Sequence, residues 1–428
     1  MEGAVKIMAW AKRRAASVMV GLLAGAGGLA AAEVTVPTDG THAVSTPSPA
    51  STQSTVTGLP ATFAVEPIAR ISEAGKVLEC IGVVPSADGK GLLIAVAQSD
   101  PEQGLEAYQV YAVDAAGKTT QLFQTPVPKG QRPFGFAPGE LSSMVVNSHG
   151  ELFLAGRFTV GYSTIRKVGM NGEVLREVPY TDEATAKMVS PVIRGMVMNG
   201  DDEFLTIAQD TILYGRDLKE KWRLPESYNA ALAGLYDSER KQFVVAYMGE
   251  KITDKLTDGW HVRMRAIDGK GRLVKEATLP GLAIRLAMAG GDYLLFRDIA
   301  RPMDRESMEK PDRFVLTRLN GDLKELDSRA LAEMPVPMAS LIFPLRLAAR
   351  ANGNIVAIGN GRGSLFVGEW DPTGKLVRKQ DTLWRTAIAR PLWLDLNSGD
   401  ARIVSGEIGP GHPGKESAAI RVDYLRVR

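Results

Sequence analysis

The stretch NGNIVAIGNGRGSLFVGEWDPTGKL, residues 352–376, holds one structural unit in miniature. Asn352-Gly353 is a hairpin signal, Ile355-Val356-Ala357-Ile358 is a short apolar run, and Trp370-Asp371-Pro372-Thr373-Gly374-Lys375 is a second turn. Short β-rich runs bounded by Gly, Asn and Asp read as buried strands entered from hairpins.

Working outward, the same order recurs along the chain. Apolar runs stand at 92–96 (LLIAV), 152–155 (LFLA), 204–208 (FLTIA), 243–247 (FVVAY), 293–296 (YLLF), 355–358 (IVAI) and 403–405 (IVS). Each follows a turn signal: Asp88-Gly89, His149-Gly150, Gly200-Asp201, Glu239-Arg240, Gly290-Gly291, Asn352-Gly353 and Ser398-Gly399. The second turn repeats at 113–118 (VDAAGK), 169–172 (GMNG), 216–219 (RDLK), 268–271 (DGKG), 319–322 (LNGD) and 370–375 (WDPTGK). Turn glycines are expected at 117, 172, 271, 321 and 374, with a glycine-free turn at Asp217, so the unit is about 52 residues long.

Two hairpins per unit make a four-stranded antiparallel sheet, which alone exposes both faces and two edges. Radial packing buries the faces against neighbouring sheets, and a parallel β-helix repeats at about half this length or less. The expected fold is therefore all-β, a β-propeller of four-stranded antiparallel blades. Seven blades fit best, with six or eight left open. An apolar segment at 63–71 precedes the first complete unit, and the last unit stops at 420–428, early for an outer strand. An N-terminal strand completing the C-terminal blade would remove the open edge; the rival takes 72–76 as an outer turn of an additional blade.

The N-terminus reads as an export signal. Lys6, Lys12, Arg13 and Arg14 give a basic start, 15–29 is a soft apolar run, and Ala30-Ala31-Ala32 offers a cleavage site before Glu33. That run falls short of the roughly 20 residues needed to span a bilayer. Residues 33–62 are mostly Ser, Thr, Pro and Ala, a composition that cannot offset its ordering entropy. The expected organisation is a signal peptide at 1–32, a disordered stalk at 33–62 and a propeller at 63–428, in a periplasmic or secreted protein with no membrane span once the signal is removed. Residues 1–32 hold four basic side chains and one acid, so the formal charge of +2 falls to −1 without them. No electrostatic footprint for nucleic acid remains. Cys80 is the only cysteine, which excludes an intramolecular disulfide, and its apolar setting reads as a buried inert thiol.

The units resemble bacterial exported propellers of the NHL and quinoprotein-like type, through the Val-Asp-x-x-Gly-Lys turn at 113–118 and its echoes at Asp268 and Asp371. The tryptophan docking motifs of quinoproteins, the boxes of sialidases and the marks of WD40 repeats are not evident. The resemblance implies a fold and leaves function open.

Catalytic constellations are thin. His42, His149, His261 and His412 show no metal-ligand spacing, and phosphate-loop, dinucleotide and nucleophile-elbow patterns are missing, so no cofactor is legible. Asp182-Glu183 and Asp201-Asp202-Glu203 read as solvated loop acids. Loop lengths carry more. The long segments at 98–107, 126–142, 248–259, 297–313, 329–344, 381–391 and 407–417 nearly all fall in the middle turn of a blade or the link between blades. Those connections open on one face of the ring, where binding sites tend to lie. On that face Arg194, Arg285, Arg346 and Arg390 stand where innermost strands begin. Guanidinium forks suit carboxylate or phosphate, so an anionic ligand is expected there; the competing reading is that each arginine ties blades together. The leading function is a binding or scaffold module for a small molecule, glycan or protein. A calcium-dependent hydrolase or lyase using Asp292 and Asp395 is the second reading, and a subunit of an envelope assembly the third.

Overall fold

The computed structural model describes residues 63–86, 90–100, 104–126, 144–159, 162–180, 195–208, 211–224, 231–248, 261–299, 313–333, 346–350, 352–361, 364–381, 390–397, 400–407 and 419–427. The expected signal and stalk at 1–62 and most of the long segments lie outside them, as do Arg194 and the Asp88-Gly89 turn.

Strand β1 (Phe63–Ile71) leads in. Sheet 1 follows with β2 (Val77–Pro85), β3 (Leu92–Asp100), β4 (Gly104–Val113) and β5 (Thr119–Pro126), and sheet 2 with β6 (Met144–Val146), β7 (Leu152–Thr159), β8 (Tyr162–Val168) and β9 (Val174–Pro179). Sheet 3 has β10 (Gly195–Met198), β11 (Phe204–Ile207), β12 (Ile212–Tyr214) and β13 (Glu220–Arg223); sheet 4 has β14 (Ala231–Asp237), β15 (Gln242–Met248), β16 (His261–Asp268) and β17 (Leu273–Pro280). Sheet 5 has β18 (Leu282–Ala289), β19 (Asp292–Asp298), β20 (Phe314–Leu319) and β21 (Glu325–Ala330), and sheet 6 has β22 (Arg346–Ala349), β23 (Ile355–Gly361), β24 (Ser364–Trp370) and β25 (Leu376–Asp381). The last sheet has the order β1, β28 (Ala419–Val427), β27 (Asp400–Glu407), β26 (Arg390–Asn397). All pairs are antiparallel, and no α-helix occurs among the described residues.

First strands of successive sheets touch in order, β2 to β6, β10, β14, β18, β22 and β26, and β2 also meets β27 and β28. The apolar runs fill the seams. Leu93, Ala95 and Val110 of sheet 1 pack with Leu152 and Leu154 of sheet 2, and Val244 and Met264 of sheet 4 pack with Tyr293 and Leu295 of sheet 5. Adjacent residues of one run therefore serve opposite seams, which is why these runs are apolar throughout and do not alternate. Buried polar tips find partners across the seams: Trp370 Nε1 donates to Ala332 O at 2.7 Å, and Tyr214 Oη to Tyr180 O at 3.1 Å.

The turn between third and fourth strands explains the repeated Asp-x-x-Gly-Lys signature. In sheet 1, Asp114 Oδ1 accepts the N–H groups of Ala116 and Lys118, both at 2.9 Å, while Gly117 N–H donates back to Asp114 O. Asp268, Asn320 and Asp371 repeat the side-chain bonds, an Asx turn that satisfies its own backbone. The left-handed position falls on Gly117, Gly172, Leu218, Gly271, Leu323 and Gly374. This corrects the expectation for Gly321, which is two residues earlier. Gly321 is small because the Arg240 guanidinium lies against it, and Leu323 accepts φ 61° because its side chain is buried in the seam between sheets 4 and 5. Cys80 also differs from expectation: it is half-buried, next to a register step in β2.

Candidate functional site

The two ends of each sheet differ. At one end lie the turns between first and second and between third and fourth strands, many of them locked by Asn or Asp side chains. At the other end lie the middle turns and the links between sheets, together with the beginnings of the first strands.

The hydrogen-bond register gives the backbone positions of Arg285, Arg346 and Arg390. In each sheet the residue just before the one that opens the second turn (Asp114, Gly215, Asp268, Asn320 or Asp371) identifies an equivalent residue of the second strand, and the residue three further on identifies a position on the first strand. Tyr293 pairs with Leu319, and Phe296 then pairs with Arg285. Ile355 pairs with Trp370, and Ile358 then pairs with Arg346. Arg285 and Arg346 thus hold the same position on neighbouring first strands, β18 and β22, which touch. In sheets 1, 3 and 4 the position is held by Gly82, Gly195 and Ala233. Arg390 pairs with Gly406 at the start of β26, and Arg194, outside the described residues, directly precedes Gly195. The register steps over Ile81, Leu232, Ile284 and Leu392 near this end of β2, β14, β18 and β26, and such bulges re-aim the residues that follow.

Arg285 is half-buried and engaged with a neighbour. Because Leu286 packs toward sheet 4, Arg285 belongs to the opposite face, with Ala287 and Ala289, which pack toward sheet 6. One register step away, Ala283 pairs with Arg297. Arg297 is 3% exposed, and its guanidinium donates to Pro280 O at 2.5 Å, to Thr317 Oγ1 at 2.6 Å and to Ser328 Oγ at 3.0 Å. These acceptors are neutral, and burial pulls the pKa of Arg297 below the ordinary arginine value. Asp298, beside it, is taken up by the equally buried Arg313 at 3.0 Å. Among the described residues, this end of sheet 5 therefore carries more guanidinium than carboxylate.

Sequence reasoning missed Arg297, Arg313 and Arg166. Arg166 is a second buried tie, donating to Thr125 of sheet 1 at 2.5 Å and to Glu177 of its own sheet at 2.6 Å. The legible signal was a basic residue inside or directly bordering an apolar strand run. Asp292 begins β19 at the short-turn end, away from Arg285, and is paired with Arg318 at 2.5 Å. Asp395 sits within β26 opposite Arg402, also toward that end.

A second polar assembly occupies the short-turn end of sheets 2 and 3. His149 Nδ1 lies 2.9 Å from Asp202 Oδ2 and 3.0 Å from Ser148 Oγ, and Arg216 donates to His149 Nε2 at 3.1 Å. With Nε2 accepting, the proton sits on Nδ1 and points to Asp202. Serine and aspartate share one ring nitrogen, so the group lacks the relay of a nucleophilic triad, in which they occupy different nitrogens. Arg216 holds the Glu151 carboxyl down to about 2, aided by Lys167 and Asn147 against the opposing effect of burial. No group of three or more metal-ligating side chains converges among the described residues.

No family model matches this chain, and no curated protein matches it. Among solved structures it is similar to the Dos1 propeller, at 10% identity over 84% of this chain and 94% of that one with a TM-score of 0.49. It is also similar to BamB from Moraxella catarrhalis (10% identity, 84% and 97% coverage, TM-score 0.45) and to the AfRom2 CNH domain (10%, 84% and 98%, 0.46). At such identity likeness concerns fold alone. The β-propeller likeness agrees with the chain's own succession of four-stranded antiparallel sheets, whose first strands touch in order.

Proposed function

We propose that the chain is an exported, seven-bladed propeller of the NHL and quinoprotein-like kind, its ring closed by β1 in the last blade, that acts as a binding or scaffold module in the periplasm or outside the cell. Its ligand is anionic and docks at the mouth of the ring through Arg194, Arg285, Arg346 and Arg390. The observation that carries this reading is the shared register of Arg285 and Arg346 at the end where the sheets are linked. Guanidinium forks held on strands by a rigid scaffold are suited to carboxylate, phosphate or sulfate. At the opposite end the turns opened by Asp114, Asp268, Asn320 and Asp371 satisfy their own backbone groups.

The test is a thermal-shift screen of anionic glycans and phosphates on the wild type and on the R285Q/R346Q double variant. Wild-type stabilisation that weakens with added salt and is lost in the variant supports the site; equal shifts in the two proteins reject it. Export is tested separately, by N-terminal sequencing of material from the medium or periplasm. A start at Glu33 is expected, and a cytoplasmic protein retaining Met1 overturns it.

A further inference from the structure

We propose that His261 and Arg263 form a second anion site, on the third strand of sheet 4 and apart from the first-strand arginines, that takes one oxyanion group of the carboxylate, phosphate or sulfate class. Strand β16 opens His261-Val262-Arg263-Met264-Arg265 at the linked end of its sheet. Val262 and Met264 pack toward Tyr293 and Leu295 of sheet 5, so alternation turns His261, Arg263 and Arg265 toward sheet 3. Arg265 belongs to a tie that the protein uses twice. Counting back three residues from the one that opens the second turn gives Arg166 in sheet 2 and Arg265 in sheet 4, and each pairs across to a glutamate, Glu177 or Glu276. The two ion pairs match, at 2.6 Å and 2.7 Å, so Glu276 serves Arg265 as Glu177 serves Arg166. Two residues nearer the linked end the sheets differ. Sheet 2 has the buried Thr164, whereas sheet 4 has Arg263, 31% exposed and 4.0 Å from the already engaged Glu276.

Sheet 3 covers only part of this face, because its β12 and β13 have three and four residues against eight each in β16 and β17. Tyr247, cross-strand from Arg263 and one strand further in, is buried beneath Thr211, whose Oγ1 accepts its hydroxyl at 3.1 Å. On the outer side Arg263 pairs with Thr278, which is exposed. Arg263 thus stands on a shelf with a buried aromatic wall inward and an open side outward. Two residues nearer the linked end, the Nδ1 atom of His261 is buried and has no hydrogen-bond partner among the described residues. A buried polar atom left unmatched costs free energy until a partner meets it. Two steps along a strand span about 6.5 Å, so one anion between the side chains can accept from the His261 Nδ1–H and from the fork of Arg263. The charge of Arg263 selects an anion over a neutral acceptor.

The experiment follows the His261 ring signal by NMR on the full chain with isotope-labelled histidine, at fixed pH and matched ionic strength, during titration with acetate, inorganic phosphate or sulfate. The chain has four histidines, and H261Q identifies the signal. In the wild type the signal is expected to move saturably with at least one of the three, and the probe that acts at the lowest concentration names the ligand class. R263Q should raise the half-saturating concentration about tenfold or more, the worth of one charge-assisted hydrogen bond. Should R263Q fail to fold, R263K, which keeps the charge and loses the fork, takes its place, and a smaller rise in the same direction is expected. The R285Q/R346Q variant, altered at the ring mouth, should leave the His261 titration unchanged. A His261 signal that ignores all three anions overturns the inference, as does a folded variant at position 263 that titrates like the wild type. Loss of the response in R285Q/R346Q also overturns it, because the signal then reports binding at the mouth.

Discussion

Replacing Tyr293 with Phe removes one oxygen from the seam between sheets 4 and 5, and its cost follows from three contacts. Tyr293 is fully buried on β19; its hydroxyl donates to Asp237 Oδ2 at 2.5 Å and accepts from Gln242 Nε2 at 2.9 Å. Both partners belong to sheet 4, and Arg240 completes the group with a 2.8 Å bond to the same carboxylate. Phe keeps the ring, so no cavity opens. A hydrogen bond to a charged group is worth about 1.5–3 kcal/mol, and a buried donor left unsatisfied costs a further 1–3 kcal/mol or so. Because Arg240 still serves Asp237 and local relaxation recovers part of the Gln242 bond, the expected loss is about 2–4 kcal/mol.

The loss carries a pH signature. Although burial works against it, the bonds from Tyr293 and Arg240 hold the Asp237 carboxyl below its ordinary value of 3.8. A depressed carboxyl contributes stability that is present above the unfolded value and fades as pH falls through the folded one. In Y293F the folded value rises toward 3.8, so the gap between the proteins is widest near neutrality and narrows in acid. Urea unfolding at pH 7 and at pH 3, followed by tryptophan fluorescence, measures both quantities. A deficit below about 0.5 kcal/mol at pH 7, the range of ordinary surface changes, or one that widens in acid, refutes the reasoning.

Leu294→Ala should cost about 2–4 kcal/mol in the same assay, because Leu294 packs into the seam between sheets 5 and 6 with Phe296 and Trp370, where the sheets cannot close over the cavity. Leu323→Gly relieves a left-handed residue but loses a buried leucine; since burial is worth about 1.5–3 kcal/mol and the conformation about 1–2, a net loss near 1 kcal/mol is expected, measured by urea midpoint. Gly374→Ala should also destabilise, because φ is 80° and the added methyl carbon would stand 2.7 Å from Ala330 O. Glu151, held near 2 chiefly by Arg216, contributes stability above its ordinary 4.5 that is lost as pH falls toward 2; E151Q should flatten the acid limb of a stability profile taken between pH 6 and pH 2.

The amino-acid order by itself determined the strands and their grouping. Runs such as LLIAV and YLLF lie wholly within β3 and β19, and the Asp-x-x-Gly-Lys turns stand where the spacing places them, because a strand buried on both faces needs an unbroken apolar run and an Asx turn needs its side-chain acceptor at one fixed position. Tertiary structure decided what local pattern could not express. Leu323 takes the conformation expected of Gly321 because an adjoining sheet supplies a pocket for its side chain, and the need for a glycine at 321 comes from Arg240, eighty-one positions earlier in the chain. The arginines show the same division. As residues preceding apolar runs, Arg194, Arg285, Arg346 and Arg390 look alike in the sequence, yet cross-strand pairing puts only Arg285 and Arg346 in demonstrated equivalence, since a bulge of one residue changes which face a side chain joins. Arg297 reads in sequence as the edge of a loop, and only the packing of Pro280, Thr317 and Ser328 around it makes it a buried cation.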